Sequence, residues 1–302
     1  MSPRVSTFSA QTDYRPVADT LASVPAQQIA TTLPLINWTV LAALAVGSFA
    51  VVAAARLLTP ATKGFLSFTA ACAAGFGLLT YLSDAGLPTV PSTAIVTADP
   101  TFDVPRRAAL IVFVIVATIT TFAIARGSRA RVLLLVGLAA GIAALGLGAL
   151  TWGVTPLGVV PLAVQLLVLA AATGGVFAAM ILGHWYLVTP KLPEAPLVMV
   201  SRRLLWIVAL QVALFAGWVG FGIGPGATGG PFAALVGPYA LFVWLRLIVG
   251  LVFPLVVSWA ALQTAKTRSM ESATGLLYIN VGTIASGTIL AAGLYFGAGL
   301  LV

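Results

Sequence analysis

Residues 239–262 read YALFVWLRLIVGLVFPLVVSWAAL. A transmembrane helix needs about 20 mostly apolar residues to cross a hydrocarbon core of roughly 30 Å. This stretch supplies them and carries one charge, Arg246. Seven further stretches have the same character: 37–58, 64–83, 108–125, 132–152, 158–183, 203–223 and 275–301. They are continuously apolar and rich in Ala, Leu, Gly and Val. A membrane β-barrel would instead show short segments of alternating polarity. The expected fold is an all-α integral membrane protein of about eight transmembrane helices.

Composition agrees. Of 302 residues, 60% are hydrophobic and 7% charged, against roughly 25% charged in a soluble domain. Mean hydropathy is +1.09. Such a chain cannot cover itself with a polar surface, and disorder requires the opposite balance. One cysteine, Cys72, excludes a disulfide framework and an iron–sulfur site, and one histidine, His184, excludes a bis-histidine haem and any multi-histidine metal site. No metal site is expected. There is no GxxxxGK[ST] phosphate loop and no catalytic motif, so no catalytic residue is assigned.

Basic residues set the orientation. Arg56, Lys63, Arg126, Arg129, Arg131, Lys191, Arg202, Arg203, Lys266 and Arg268 fall on one side, and Arg4, Arg15, Arg106 and Arg107 on the other. The positive-inside rule puts the first group in the cytoplasm. Both termini are then outside a bacterial plasma membrane. The pI of about 10.3 reads as this topology signal, not as a nucleic-acid surface, because no basic run with interleaved aromatics occurs.

The tail 1–36 is polar and extracytoplasmic in this reading, lacks the apolar core of a cleavable signal peptide, and precedes a transmembrane domain over 37–302. The outer loop 84–107, DAGLPTVPSTAIVTADPTFDVPRR, is too polar to cross the membrane and too rich in proline for a helix. The outer loop 222–238, GIGPGATGGPFAALVGP, carries no charge. Its backbone amides need protein partners, since lipid supplies none. LLTPATKGFLSF (57–68) is echoed by YLVTPKLPEAPL (186–197), and TTFAIARGSRARVLLLVG (120–137) by ALQTAKTRSMESATGLLY (261–278). An interval of four helices preserves direction, so the echo outlines two parallel four-helix halves.

Arg246 is the sharpest candidate for function. It lies about eight residues below the outer end of its helix, roughly 12 Å deep at 1.5 Å per residue. A lone arginine at the bilayer centre costs about 2.5–3.5 kcal/mol on the insertion scale. With no Asp or Glu inside a span, its partner is a backbone carbonyl, Asp84, a lipid phosphate, a bound ligand or a carboxylate of another subunit. The structural alternative is an arginine snorkelling to the interface. Pro254 should kink the same helix. Asn280, Thr283 and Gly287 form one stripe on the last helix. It serves either interhelical hydrogen bonding or a polar lining for a quinone or ion. Gln165 and Gln211 read the same way. His184, followed by Trp185 and Tyr186, marks the inner end of the fifth helix. It is either an interfacial histidine or a proton-transfer or quinone-binding group, with Glu194, Arg202, Arg203 and Glu271 available to complete a polar patch.

With eight helices, outer termini, paired halves and a last segment SATGLLYINVGTIASGTILAAGLYF (272–296), the chain resembles the NrfD/DmsC-type membrane subunits of respiratory oxidoreductases. The resemblance implies a subunit that anchors electron-transfer partners and binds quinone, often without haem. That family's quinone pocket lies toward the outer face among acidic and histidine side chains, whereas the one histidine here falls at the inner face. The expected function is a non-haem integral subunit of a respiratory or photosynthetic electron-transfer complex, a scaffold contributing a quinone or lipid groove. Its partners would be other membrane subunits and lipids, not nucleic acid. A small-solute or ion transporter, and an enzyme acting on lipid or quinone at the cytoplasmic face, remain the alternatives.

Overall fold

A computed structural model describes residues 32–87, 94–189 and 192–302. Among them every regular element is helical, and eight helices are long and apolar enough to span a membrane. They are α1 (Leu33–Leu58), α2 (Lys63–Ala85), α3 (Asp103–Ala125), α4 (Arg131–Trp152), α5 (Pro156–Val188), α6 (Ala195–Phe221), α7 (Ala240–Lys266) and α8 (Met270–Ala298). Each expected span is present. Residues 1–31 of the tail, with Arg4 and Arg15, and Lys191 lie outside the described residues.

The helix ends follow local chemistry. Prolines open α1, α5 and α6 within the first two positions, where a missing N–H breaks no internal bond. Gly222 and Gly299, at φ 62° and 66°, close α6 and α8 in the left-handed conformation. In α7, Pro254 cannot donate to the Gly250 carbonyl. The helix widens there into a π turn, Ile248–Val252, before resuming at Phe253.

α1 packs on α2, α2 on α3, α3 on α4, and α4 returns to α1; α5 to α8 close a second ring in the same order. The two rings meet chiefly where α1 crosses α5. The crossing is tight because both helices present glycine: a Cβ on Gly47 would lie 1.8 Å from the Ala170 carbonyl oxygen, and one on Gly174 2.3 Å from the Ser48 nitrogen.

The segment 84–107 departs from its expected form. Asp84 lies inside α2, and α3 starts at Asp103, so Arg106 and Arg107 are helical and only the stretch between them is a connection. Pro105 sits in the first turn of α3, where proline is tolerated. Asp84 and Arg106 are 0% and 1% exposed, so acidic residues are not confined to loops. Their opposite charges neutralise each other, which is what permits burial.

Segment 222–238 does pack on protein. A short 3-10 turn, Ala233–Leu235, braces it, and the Gly226 N–H donates to the Gly299 carbonyl at 3.0 Å. Arg56, Arg129 and Arg268 lie at one end of the bundle, the basic end, and Asp84 and segment 222–238 at the opposite, far end.

Candidate functional site

Two clusters place ionisable groups inside the bundle. At the far end, Asp84 accepts hydrogen bonds from Trp38 Nε1 at 2.9 Å, Arg106 Nε at 2.6 Å and Arg107 Nε at 2.8 Å. Arg106 also donates to Thr151 Oγ1 at 2.6 Å, pairs with Asp103 at 3.0 Å, and stands 4.6 Å from the Trp152 ring centroid. Two carboxylates face two guanidiniums, so the cluster is neutral. It ties α1 through α4 together and leaves nothing over for a ligand. Nearby, Thr101 hydrogen bonds hold the Asp99 carboxyl below its usual range where it caps the Pro100–Phe102 turn.

Arg246 is the second. It is 3% exposed, so it does not snorkel, and its partner is not Asp84. Nη1 donates to the Gly250 carbonyl at 3.0 Å, the same carbonyl that Pro254 leaves without its usual helical donor. Gly250 and Gly287 make room for the guanidinium: a Cβ on Gly287 would lie 2.6 Å from Nη1. The Nε of Arg246 has no partner among the described residues.

Two more buried atoms without partners belong to Gln165 and Gln211, their Oε1 oxygens. The residues come from α5 and α6, are 3% and 5% exposed, and line with Arg246, Trp218 and Val302 a cavity of about 10 Å³. One donor and two acceptors are thus gathered around a space the size of a single water molecule. Simple interhelical pairing was the expectation for these glutamines. It holds only for Gln211 Nε2, which reaches the Val168 carbonyl at 3.5 Å.

Trp218 also lines a second, larger space. Under segment 222–238 runs a groove of about 290 Å³, bounded by Trp218, Val219, Ile223, the Gly226–Gly230 backbone, Tyr239 and residues 298–301 of the folded-back C-terminal segment. Its volume lies near the lower edge of small-molecule sites, about 300–1,000 Å³. Among the described residues the walls are mostly apolar; polar side-chain groups come from the Trp218 indole, Thr228 and Tyr239, and no carboxylate, histidine or cysteine lines it. Tyr239 stands at the start of α7, where its side chain borders the groove. Such a groove binds an apolar body by exclusion of solvent and orients a polar head by one or two hydrogen bonds. It carries no acid–base machinery.

Most of the other candidates have structural partners. Asn280 Nδ2 donates to Ser258 Oγ at 2.8 Å, joining α8 to α7, and Thr283 Oγ1 donates back to the Asn280 carbonyl at 3.2 Å. Thr288 meets Thr173 at 2.7 Å across α8 and α5. That stripe is glue. Tyr186 is buried and its hydroxyl donates to the Pro193 carbonyl, pinning the α5–α6 connection. His184 is exposed on α5, which continues to Val188, and its Nδ1 lies 3.5 Å from the Tyr278 hydroxyl. Glu194 pairs with Arg268 at 2.7 Å. Glu271 is exposed in the first turn of α8 and forms no ion pair among the described residues. No polar patch around His184 is assembled from Glu194, Arg202, Arg203 and Glu271.

Sequence reading missed Trp218 and the groove. The Gly/Pro run 222–230 signals a segment that needs protein contacts, but not that residues 298–301 supply them. No family model, curated protein or solved structure matches this chain.

Proposed function

We propose that the chain is a non-haem integral subunit of a bacterial electron-transfer complex that anchors partner subunits and holds a quinone or lipid in the groove beneath segment 222–238. The observation that carries this reading is the groove itself: about 290 Å³, mostly apolar, and set at the far end of the helix bundle. An amphiphile with a long apolar tail partitions from the bilayer into such a space. Its head meets the Thr228 hydroxyl. The two closed rings of packing, 1–4 and 5–8, support an organisation in two parallel four-helix halves. The excess of basic residues at the opposite end supports a plasma-membrane orientation with the groove on the outer side. Asn280 and Thr283 then serve packing, and Trp218 separates the groove from the small cavity that Arg246 lines.

Purification in mild detergent, followed by solvent extraction and mass spectrometry, tests it. The expected result is a quinone or phospholipid retained stoichiometrically, together with co-purifying membrane subunits. Ala234→Trp, which fills the groove, should release the ligand and preserve the helical circular dichroism. A monomer that carries no partner would overturn the subunit role. Equal retention by wild type and Ala234→Trp would overturn the groove.

A further inference from the structure

At the basic end, the last turn of α1 and the α3–α4 hairpin enclose a cavity of about 330 Å³ lined by Arg56, Leu57, Arg129 and Arg131. Three guanidiniums converge there, and none of them forms an ion pair with a described residue. Like charges so gathered repel one another. The arrangement is nonetheless fixed: Arg56 Nη2 donates to the Ser128 carbonyl at 2.8 Å, holding the hairpin against α1. Ser128 Oγ in turn accepts from the Ala130 N–H at 3.1 Å, and Ala130 takes the left-handed conformation at φ 51° that turns the chain into α4. The hairpin therefore sets Arg129 and Arg131 on either side of a short rigid turn.

We infer that this cavity binds a phosphate group, and specifically the headgroup of an anionic membrane phospholipid. Guanidinium groups match phosphate oxygens in planar, two-pronged hydrogen bonds, and three of them more than offset the single negative charge of a phosphodiester while leaving donors for an acidic or hydroxylic substituent. The surroundings favour a lipid over free phosphate. Leu57 forms one wall of the cavity and Leu58 beside it is 60% exposed. Leu135, one turn below Arg131 on the same face of α4, is also 60% exposed. A headgroup seated among the arginines would thus lay its acyl chains along apolar side chains that already face the bilayer. Basic recesses between helices at the membrane surface have the right chemistry for such headgroups. The site stands apart from the groove and does not depend on the function proposed for it.

The test uses the full chain reconstituted in nanodiscs of phosphatidylcholine with or without phosphatidylglycerol, read by thermal unfolding and by native mass spectrometry of retained lipid. Phosphatidylglycerol should raise the unfolding temperature and appear as a bound adduct. Arg129→Gln/Arg131→Gln, both at exposed positions, should weaken retention about 30-fold. Arg202→Gln, an exposed arginine of α6 that does not line the cavity, should not. Inorganic phosphate added to the phosphatidylcholine sample should give little shift; a shift equal to that from phosphatidylglycerol would keep the phosphate site but make the soluble anion its ligand. No shift with either, or equal losses in the double variant and in Arg202→Gln, would overturn the proposal, because the attraction would then be a diffuse surface charge.

Discussion

At the scale of single residues, the bundle treats its charges in two ways. Asp84 shares its oxygens among Trp38, Arg106 and Arg107, so removing its charge leaves buried Arg106 with only the partly exposed Asp103 as counter-ion and half-buried Arg107 with none among the described residues. Asp84→Asn should cost about 3–5 kcal/mol in unfolding free energy, measured by chemical denaturation in detergent. Asp84→Leu/Arg106→Met, which removes both members of the closest pair, should cost less than Asp84→Asn alone. A double variant at least as unstable as the single would show that the pair does more than cancel its own burial. Asp99 is the exposed counterpart. Its folded pKa is depressed by Thr101, so its contribution is present above the unfolded carboxyl range and is lost as pH falls through the folded value. Carboxyl NMR should give an Asp99 midpoint below that of an unfolded-chain aspartate. Thr101→Pro, which deletes the donating N–H, should move that midpoint back up.

At the scale of elements, the sequence displays what hydropathy can encode and hides what pairing creates. All eight spans follow from runs of apolar residues, because lipid demands about the same length from each. The ends of α2 and α3 do not, because Asp84, Arg106 and Arg107 look like loop residues until the two helices stand side by side. Arg246 announces itself as a charge in an apolar run, and Pro254 announces a disturbed helix, yet only the folded π turn shows that the second defect supplies the acceptor for the first. The polar cavity is less legible still. Gln165, Gln211, Arg246 and Val302 are far apart in sequence and converge only through the packing of α5, α6, α7 and the folded-back segment after α8. Glycine spacing is similarly ambiguous: Gly47 and Gly146 both sit within apolar helices, but a Cβ on Gly47 would strike the Ala170 carbonyl, whereas one on Gly146 meets nothing within 4 Å. Gly47→Ala should force α1 from α5 at a cost of about 1–3 kcal/mol or more. Gly146→Ala should stabilise by about 0.5–1 kcal/mol through helix propensity. Thermal unfolding of the two variants in the same detergent checks the contrast, and similar shifts would refute the tight crossing.

At the scale of the whole molecule, the surface belongs in oil. Leu157, Phe221 and Trp206 are 88%, 80% and 69% exposed, a display that would drive aggregation in water and costs nothing against acyl chains. Charge then distinguishes the two ends. The basic end holds Arg56, Lys63, Arg126, Arg129, Arg131, Arg202, Arg203, Lys266 and Arg268, and of these only Arg268 is ion-paired among the described residues. At the far end Arg106 and Arg107, which oppose the positive-inside count, are both paired with Asp84. The folded molecule is therefore more asymmetric in free positive charge than its sequence, and the membrane potential favours keeping the free cations in the cytoplasm. The proposed orientation has the groove opening on the outer side, and labelling can check it. In a Cys72→Ala background, Val236→Cys lies in the groove-bearing segment and is 85% exposed in the parent residue, while Arg129→Cys lies in the basic hairpin. A membrane-impermeant maleimide should modify Val236→Cys in intact cells and reach Arg129→Cys only after permeabilisation. The reverse pattern would place the groove on the cytoplasmic side and overturn the proposed orientation.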